Sequence, residues 1–110
     1  MLKPVKIEKV YYTIGEVAEL FEVNPSLIRY WEKEFEILKP TKNKKGNRLF
    51  TKMDLNNLRM IYHLVKERGF TLQGAKDKLK HNREDVEKTV EVVDALQKVR
   101  AFLVEMKEQL

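Results

Sequence analysis

Two signals for the start of a helix follow each other closely near the beginning of this chain. Thr13 has the position of an N-cap, with Glu16 three residues later as in a capping box. Asn24 is a second candidate N-cap, and Pro25 suits the first turn of a helix because its missing N–H is not needed there. The chain is therefore predicted to form two short helices joined by a tight turn, Glu22-Val23-Asn24.

Each predicted helix has one apolar face, which determines the side that packs inward. The periodic apolar residues are Ile14, Val17, Ala18 and Phe21 in the first helix and Leu27, Ile28, Trp31 and Phe35 in the second. At this spacing the rings of Trp31 and Phe35 are predicted to belong to the core. Glu22 occupies a turn position that often holds Gly, so its backbone must either avoid a positive φ angle or tolerate some strain.

The opposite side of the second helix is polar. It carries Ser26, Arg29, Tyr30 and Lys33. A helix braced by a partner helix can project such side chains into the major groove of DNA, where Arg reads guanine and Ser, Tyr and Lys bind phosphates. These four residues are predicted to contact DNA. The alternatives are a surface salt bridge with Glu32 or plain solvation for Arg29, and partial burial instead of a phosphate contact for Tyr30.

Residues 38–50 interrupt the helical periodicity. Pro40 cannot lie inside a helix, and the run Asn-Lys-Lys-Gly-Asn at 43–47 is typical of a turn. Leu38 on one side and Leu49-Phe50 on the other predict a short two-stranded hairpin. Its cations are Lys42, Lys44, Lys45 and Arg48. Because the hairpin directly follows the predicted recognition helix, we expect these cations to lie along neighbouring phosphates, as a wing does.

Two further helices are predicted between the hairpin and the last segment. Thr51 and Asp54 form another N-cap pair, and the helix that follows is expected to end at Gly69, a natural C′ residue. Thr71 caps a short fourth helix. Polar residues 80–84 indicate a break before the last segment.

The last segment, from about Glu84 to Leu110, contains no Gly or Pro. Six of its apolar residues are spaced 4, 3, 4, 3, 4, as at the a and d positions of a coiled coil. They are Val92, Leu96, Val99, Leu103, Met106 and Leu110. A single helix cannot bury such a stripe, so we expect it to pack on its own domain, on a partner, or on both, with a homodimer through this helix as the main expectation.

These patterns predict a mainly α fold. It consists of a winged helix-turn-helix domain with a small two-stranded wing at residues 1–80, followed by a long C-terminal dimerisation helix at residues 84–110. Near the start of the chain, Val10-Tyr11-Tyr12 predicts a brief strand or an extended arm.

The net charge of +5 is distributed unevenly along the 110 residues. Residues 37–53 contain six cations and no acid, and residues 59–83 contain seven cations and two acids. Residues 84–110 contain four cations and seven acids. A basic middle with an acidic tail favours a polyanionic partner, although Lys-rich loops are equally common as ordinary solvated surface.

The residues that would indicate other chemistry are absent from the sequence. It has no cysteine, which excludes disulfides, thiolate metal sites and a cysteine nucleophile. His63 and His81 are isolated from other ligand-type residues and are expected at the surface or on a helix face. No metal site, cofactor or enzymatic activity is predicted. Because there is neither a signal-peptide core nor an apolar run of membrane-spanning length, the expected location is the cytoplasm.

Four motifs occur in a fixed order along residues 12–79. They are Tyr12-Thr13-Ile14-Gly15-Glu16-Val17-Ala18, Leu27-Ile28-Arg29-Tyr30-Trp31-Glu32, Gly46-Asn47-Arg48-Leu49-Phe50-Thr51 and Asp54-Leu55. In this order and spacing they resemble the MerR family of bacterial transcription regulators. The resemblance implies a winged-helix domain, a dimer joined by an antiparallel coiled coil, and binding to pseudo-palindromic promoter DNA. Members typically bend and untwist the promoter, which makes RNA polymerase a candidate partner.

Carried over by position, Thr13, Arg29, Tyr30 and Arg48 would contact DNA, largely its backbone. The chain departs from the family pattern in three places. Trp31 stands where a second Tyr is common, residues 34–40 form a longer link than usual, and Asn47 stands where many members have Tyr, so one backbone contact is expected to be missing or weaker. No effector domain follows the coiled coil before Leu110, and no inducer is indicated.

Two other classes of function remain open. A DNA-architectural or recombination-accessory protein could use the same winged fold to bend DNA, although the coiled-coil pattern weighs against it. A protein-interaction adaptor could use the acidic tail, but it leaves Arg29 and the wing unexplained. The leading prediction is a sequence-specific, dimeric transcription regulator that distorts its promoter.

Overall fold

The computed structural model describes residues 10–110, which form mostly helices and one small sheet. The elements are β1 (Tyr12–Thr13), α1 (Ile14–Phe21), α2 (Pro25–Glu34), β2 (Thr41–Lys42), β3 (Arg48–Phe50), α3 (Lys52–Tyr62), a π-helical turn (His63–Glu67), α4 (Leu72–His81) and α5 (Arg83–Glu108). By internal contacts they group into two compact units, a first unit that ends at Tyr62 and a second unit from His63 to Leu110. The functional division after residue 80 stays a prediction.

The capping box predicted at the start of α1 is present. The Glu16 amide donates to Thr13 Oγ1 at 3.2 Å, and the Thr13 amide donates to Glu16 Oε1 at 3.0 Å. Val17, Ala18 and Phe21 are buried, as their spacing indicates. The helix ends at Glu22, which has φ 55° and ψ 43°. Of the two possibilities left open for this residue, the turn therefore tolerates a left-handed backbone at a residue with a Cβ atom.

Helix α2 begins at Pro25, after Asn24 in the N-cap position. Ile28 and Trp31 are buried on one side of the helix, and Phe35 is buried immediately after its end. The ring of Trp31 meets the ring of Tyr62 edge-on, with centroids 6.4 Å apart. The prediction that Trp31 and Phe35 are core residues is therefore confirmed.

The predicted hairpin is the antiparallel pair of β2 and β3, in which Lys42 lies opposite Arg48. The sheet has a third strand, because β1 pairs antiparallel with the other edge of β3, with Tyr12 opposite Phe50. Of the alternatives for the segment before α1, the brief strand is the one formed, at Tyr12–Thr13. This strand joins the wing to the residues that begin α1.

The prediction that one helix runs to Gly69 is wrong. Regular α-helix stops at Tyr62 and a π-helical turn follows, in which the Arg68 amide donates to the His63 carbonyl at 2.9 Å, five residues back instead of four. Gly69 still reverses the chain with φ 72°. His63 itself is 4% exposed, and its Nδ1 lies 2.9 Å from Glu67 Oε1. Of its two expected positions, the surface is therefore wrong, and His63 lies on a buried face of the helical turn.

The second unit is organised around the packing of α4 against α5. Thr71 caps α4 by accepting from the Gly74 amide at 3.0 Å, and the predicted break at 80–84 is reduced to Asn82 alone. The buried residues of the two helices are Ala75 and Leu79 from α4 and Val86 and Val90 from α5. Within residues 10–110, no helix is both long and apolar enough to cross a membrane.

Replacing Glu22 with Gly is expected to raise the free energy of unfolding by about 1 kcal/mol, because Gly adopts the left-handed backbone without a Cβ clash. Glu19→Gly is the matched control, since Glu19 is exposed in the interior of α1 and the same change there should cost about 1 kcal/mol. Urea denaturation of both variants measures the two values. An equal decrease in the free energy of unfolding in both variants would contradict a left-handed backbone at Glu22.

Candidate nucleic-acid interface

One side of α2 is polar and open to solvent. Ser26, Arg29, Tyr30 and Lys33 are all exposed on it, Tyr30 at 46%, whereas Ile28 and Trp31 hold the other side in the core. Within the described residues the guanidinium of Arg29 forms no ion pair. The four side chains that sequence reasoning selected on this helix therefore share one accessible surface.

Thr13 lies where β1 passes into α1. Its Oγ1 accepts the Glu16 amide, which commits one lone pair to the helix cap. The hydroxyl hydrogen is not used in that bond, and a hydroxyl can donate while it accepts. The capping geometry thus fixes the position of a donor near the first turn of α1, where an anion would also be stabilised by the helix dipole.

The tip of the wing has a defined conformation, although all its side chains from Thr41 to Asn47 are exposed. The Oδ1 atom of Asn43 accepts the amides of Lys45 at 2.9 Å and of Asn47 at 3.0 Å. Gly46 completes the turn with φ 80°, and its amide donates to the Asn43 carbonyl. Lys42, Lys44 and Lys45 are therefore presented on an ordered turn.

Arg48 differs from the other cations of the wing because it forms an ion pair with Glu32 of α2. The side chains of Arg48 and Glu32 are 32% and 19% exposed. Sequence reasoning had considered Glu32 only as a partner for Arg29. In the structure, Glu32 instead connects α2 to the wing strand β3.

Two buried polar residues of α3 belong to the same region and were not connected with it by sequence reasoning. Asp54 and Asn57 are each 4% exposed, and both form hydrogen bonds to the backbone of the segments that flank the wing. The sequence identifies Asp54 as part of an N-cap pair and of the Asp54-Leu55 motif, with no link to the wing. For Asn57, spacing on an otherwise apolar side of α3 was the one available signal.

A second accessible surface lies on α5. The six residues of the heptad pattern are all exposed, from 48% at Met106 to 63% at Leu96 within the helix. Val86 and Val90, nearer the start of the helix, are buried instead. The apolar residues near the start of α5 are thus buried within the second unit, whereas the longer apolar stripe from Val92 to Leu110 is exposed.

No three His, Asp or Glu side chains among residues 10–110 are placed so that they could hold a metal ion together. The first unit thus presents cations, hydroxyls and one aromatic ring on α2 and the wing, and the second unit separately presents the apolar stripe of α5.

Comparison with known proteins assigns the chain to a family. The family model described as MerR HTH family regulatory protein matches residues 12–82. The chain belongs to the MerR family. The match includes the whole of α1, α2, the wing, α3 and α4, so the resemblance seen in the four sequence motifs is confirmed.

Several MerR-family relatives are known in sequence and structure. The chain is 33% identical over 100 residues to the HTH-type transcriptional regulator ZntR of Escherichia coli K12, covering 86% of this chain and 70% of ZntR. It is 36% identical over 76 residues to the HTH-type transcriptional regulator MlrA of the same organism, covering 69% of this chain. The match spans only 31% of the length of MlrA.

Solved structures show the same fold. HiNmlR, a MerR-family regulator lacking the sensor domain and bound to promoter DNA, matches with a TM-score of 0.54 and 25% identity, over 88% of this chain and 86% of that one. A MerR-family regulator from Bacillus cereus matches with a TM-score of 0.57 and 26% identity, over 90% and 78% of the two chains. The prediction of a winged helix-turn-helix followed by a long helix is confirmed, with the wing extended to three strands by β1.

The ion pair between Glu32 and Arg48 is expected to contribute about 0.5–1 kcal/mol to stability, because both side chains are partly shielded from solvent. A double-mutant cycle with Glu32→Ala and Arg48→Ala measures this coupling by denaturation. The more exposed pair of Arg83 and Glu87 on α5 is the control, with an expected coupling of about 0.3 kcal/mol. A coupling of zero between Glu32 and Arg48 would contradict the connection of α2 to the wing.

Proposed function

We propose that this protein is a sequence-specific transcription regulator that binds pseudo-palindromic promoter DNA as a homodimer. The observation that carries the proposal is the single accessible surface of α2, on which Ser26, Arg29, Tyr30 and Lys33 are exposed beside a cationic wing. HiNmlR, whose fold this chain shares, is bound to promoter DNA. The proposed site of action is the cytoplasm.

The residues of this surface are suited to different kinds of contact with DNA. Arg29 is exposed in the middle of α2, and its guanidinium forms no ion pair with any residue from 10 to 110. It can therefore form two hydrogen bonds to O6 and N7 of guanine. Thr13, Ser26, Tyr30 and Lys33 offer hydroxyl and ammonium donors for phosphates. In the wing, Lys42, Lys44, Lys45 and Arg48 add positive charge that releases counterions from the DNA backbone.

The homodimer is supported by the uncovered part of α5. Val92, Leu96, Val99, Leu103, Met106 and Leu110 form the exposed stripe. A stripe with this spacing is buried when it meets an identical stripe on a second helix. Two-fold symmetry then places two copies of α2 on two half-sites of opposite orientation, which is why the proposed DNA site is pseudo-palindromic.

Distortion of the promoter is part of the same proposal. The wing and α2 are connected through Arg48 and Glu32, so phosphates bound by the wing are held in a fixed relation to bases bound by α2. Repeated at both half-sites, this arrangement favours DNA that bends towards the protein, since the added phosphate contacts offset the bending energy. RNA polymerase is then the partner that responds to the altered promoter.

Arg29→Ala is expected to weaken binding to a specific site by about 1–3 kcal/mol and to relax discrimination at one base pair. Arg48→Ala should instead weaken binding to all sequences alike and lower the salt dependence of log K by about one unit. Fluorescence anisotropy titrations at several salt concentrations distinguish the two effects. Lys98→Ala on α5 removes an equal charge outside the proposed site and is the control. DNA affinity unchanged in both Arg variants would refute DNA binding by this surface.

Leu96→Lys with Leu103→Lys is expected to produce monomers, because four ammonium groups would have to be buried in the proposed helix pair. Sedimentation velocity measures the oligomeric state. Ala101→Lys with Glu108→Lys, at outward heptad positions of the same helix, is the matched control and should remain dimeric. A dimer that persists in the first variant would refute association through the stripe.

A further inference from the structure

A single buried carboxylate holds both ends of the wing. Asp54, in the first turn of α3, accepts the amide of Lys39 through Oδ1 at 3.2 Å. Its other oxygen, Oδ2, accepts the amide of Thr51 at 3.0 Å and the hydroxyl of Thr51 at 3.1 Å. Lys39 precedes β2 and Thr51 directly follows β3. The two oxygens of Asp54 therefore connect the two ends of the hairpin, at Lys39 and at Thr51.

Asn57 strengthens the same connection one turn further along α3. Its Nδ2 donates to the carbonyl of Ile37 at 3.2 Å. Asp54 and Asn57 are both 4% exposed, so their partly buried hydrogen bonds are less open to competition from water than bonds at the surface. Buried hydrogen bonds to a charged acceptor are stronger and more directional than exposed ones. The chain thus meets α3 at residues 37, 39 and 51, and the wing between them has little freedom to move as a whole.

We propose that Asp54 is a positioning residue for DNA binding, which holds the wing at the distance from α2 where both can contact one DNA duplex. The inference rests on the proposed function. Asp54 is buried and does not itself face a ligand. It acts through the backbone of the wing, whose cations lie on the strands and turn that its two oxygens hold together.

The chemistry of the site requires a carboxylate. Both ends of the hairpin present hydrogen-bond donors to Asp54, and a carboxylate has acceptors on both of its oxygens. An Asn side chain has nearly the same shape, but its NH₂ group would face the donors at one of the two ends. Asp54→Asn therefore releases one end of the hairpin and leaves the volume of the site almost unchanged.

The wing keeps its own turn when it is detached, because Asn43 and Gly46 organise the tip independently of α3. What changes is the position of that turn relative to α2. The cations of the wing would then have to be ordered at the moment of binding, which raises the entropic cost of each phosphate contact. We expect Asp54→Asn to lower the number of phosphate contacts and to leave unchanged the ability of α2 to distinguish DNA sequences.

The first experiment needs no DNA. Hydrogen exchange of the wing amides is measured by NMR in the wild-type protein, in Asp54→Asn and in Leu79→Ala, which removes a buried side chain from the second unit. Exchange of the amides at residues 41–50 is expected to be about tenfold faster in Asp54→Asn, and unchanged relative to the other amides in Leu79→Ala. Wing exchange equal to wild type in Asp54→Asn would overturn the proposal.

The second experiment measures DNA affinity against salt concentration for the same three proteins. Asp54→Asn is expected to lower the slope of log K against log salt by about two to three units, since each lost phosphate contact removes about 0.9. Leu79→Ala should keep the wild-type slope. An unchanged slope in Asp54→Asn, or an equal decrease in Leu79→Ala, would reduce Asp54 to a purely structural role and overturn the proposal.

Two substitutions of Thr51 extend the test if Asp54→Asn fails to fold. Thr51→Val removes the hydrogen bonds of the hydroxyl but keeps the bond from the Thr51 amide to Oδ2, so it should give an intermediate decrease in the slope of log K against log salt. Thr51→Ser keeps the hydroxyl bonds as well as the amide bond and should match the wild-type slope. Equal slopes in all Thr51 variants would overturn the proposal.

A wild-type protein without salt-dependent DNA affinity would refute the proposed function and, with it, the role of Asp54 in binding. The exchange experiment would still report whether Asp54 holds the wing.

Discussion

Burial of one side of α2 is the constraint on which the rest of the first unit depends. Ile28 and Trp31 are almost completely buried, and the rings of Trp31 and Tyr62 pack edge-to-face. Any rotation of the helix that removed Trp31 from this position would cost roughly 3 kcal/mol or more in lost packing. The side that carries Arg29 and Tyr30 is therefore fixed towards solvent. The orientation of the proposed DNA-binding surface is therefore a consequence of the core beneath it.

The wing in the first unit and α5 in the second unit are held in place in different ways. The wing is fixed locally, by the Glu32–Arg48 ion pair on one side and by Asp54 on the other, so its charge has a defined position. Helix α5 is fixed only at its beginning, where Val86 is buried. The apolar stripe beyond it is exposed and has the spacing of a coiled coil. In the proposed function, local packing accounts for one half-site and association of α5 accounts for the pairing of half-sites.

Much of this could be predicted from the sequence because the signals are local. The capping box at Thr13, the buried faces of α1 and α2 and the heptad pattern are each contained in a short segment. Contacts between distant segments were not predictable in the same way. The sequence offers Glu32 only as an alternative partner for Arg29, its neighbour on the helix, because nothing in the spacing brings β3 next to α2. The π-helical turn at His63 was missed for a related reason, since apolar periodicity continues through it and does not distinguish the two hydrogen-bond patterns.

The central claim is that two copies of this chain read DNA through α2 and the wing. It is tested most directly by selecting, from random and genomic DNA, the sequences that the purified protein binds. The account predicts enrichment of an inverted repeat whose genomic copies overlap promoters. Phased sites within mobile elements would indicate the architectural or recombination-accessory role instead. Failure to enrich any sequence, or enrichment of a single asymmetric site, would contradict the account.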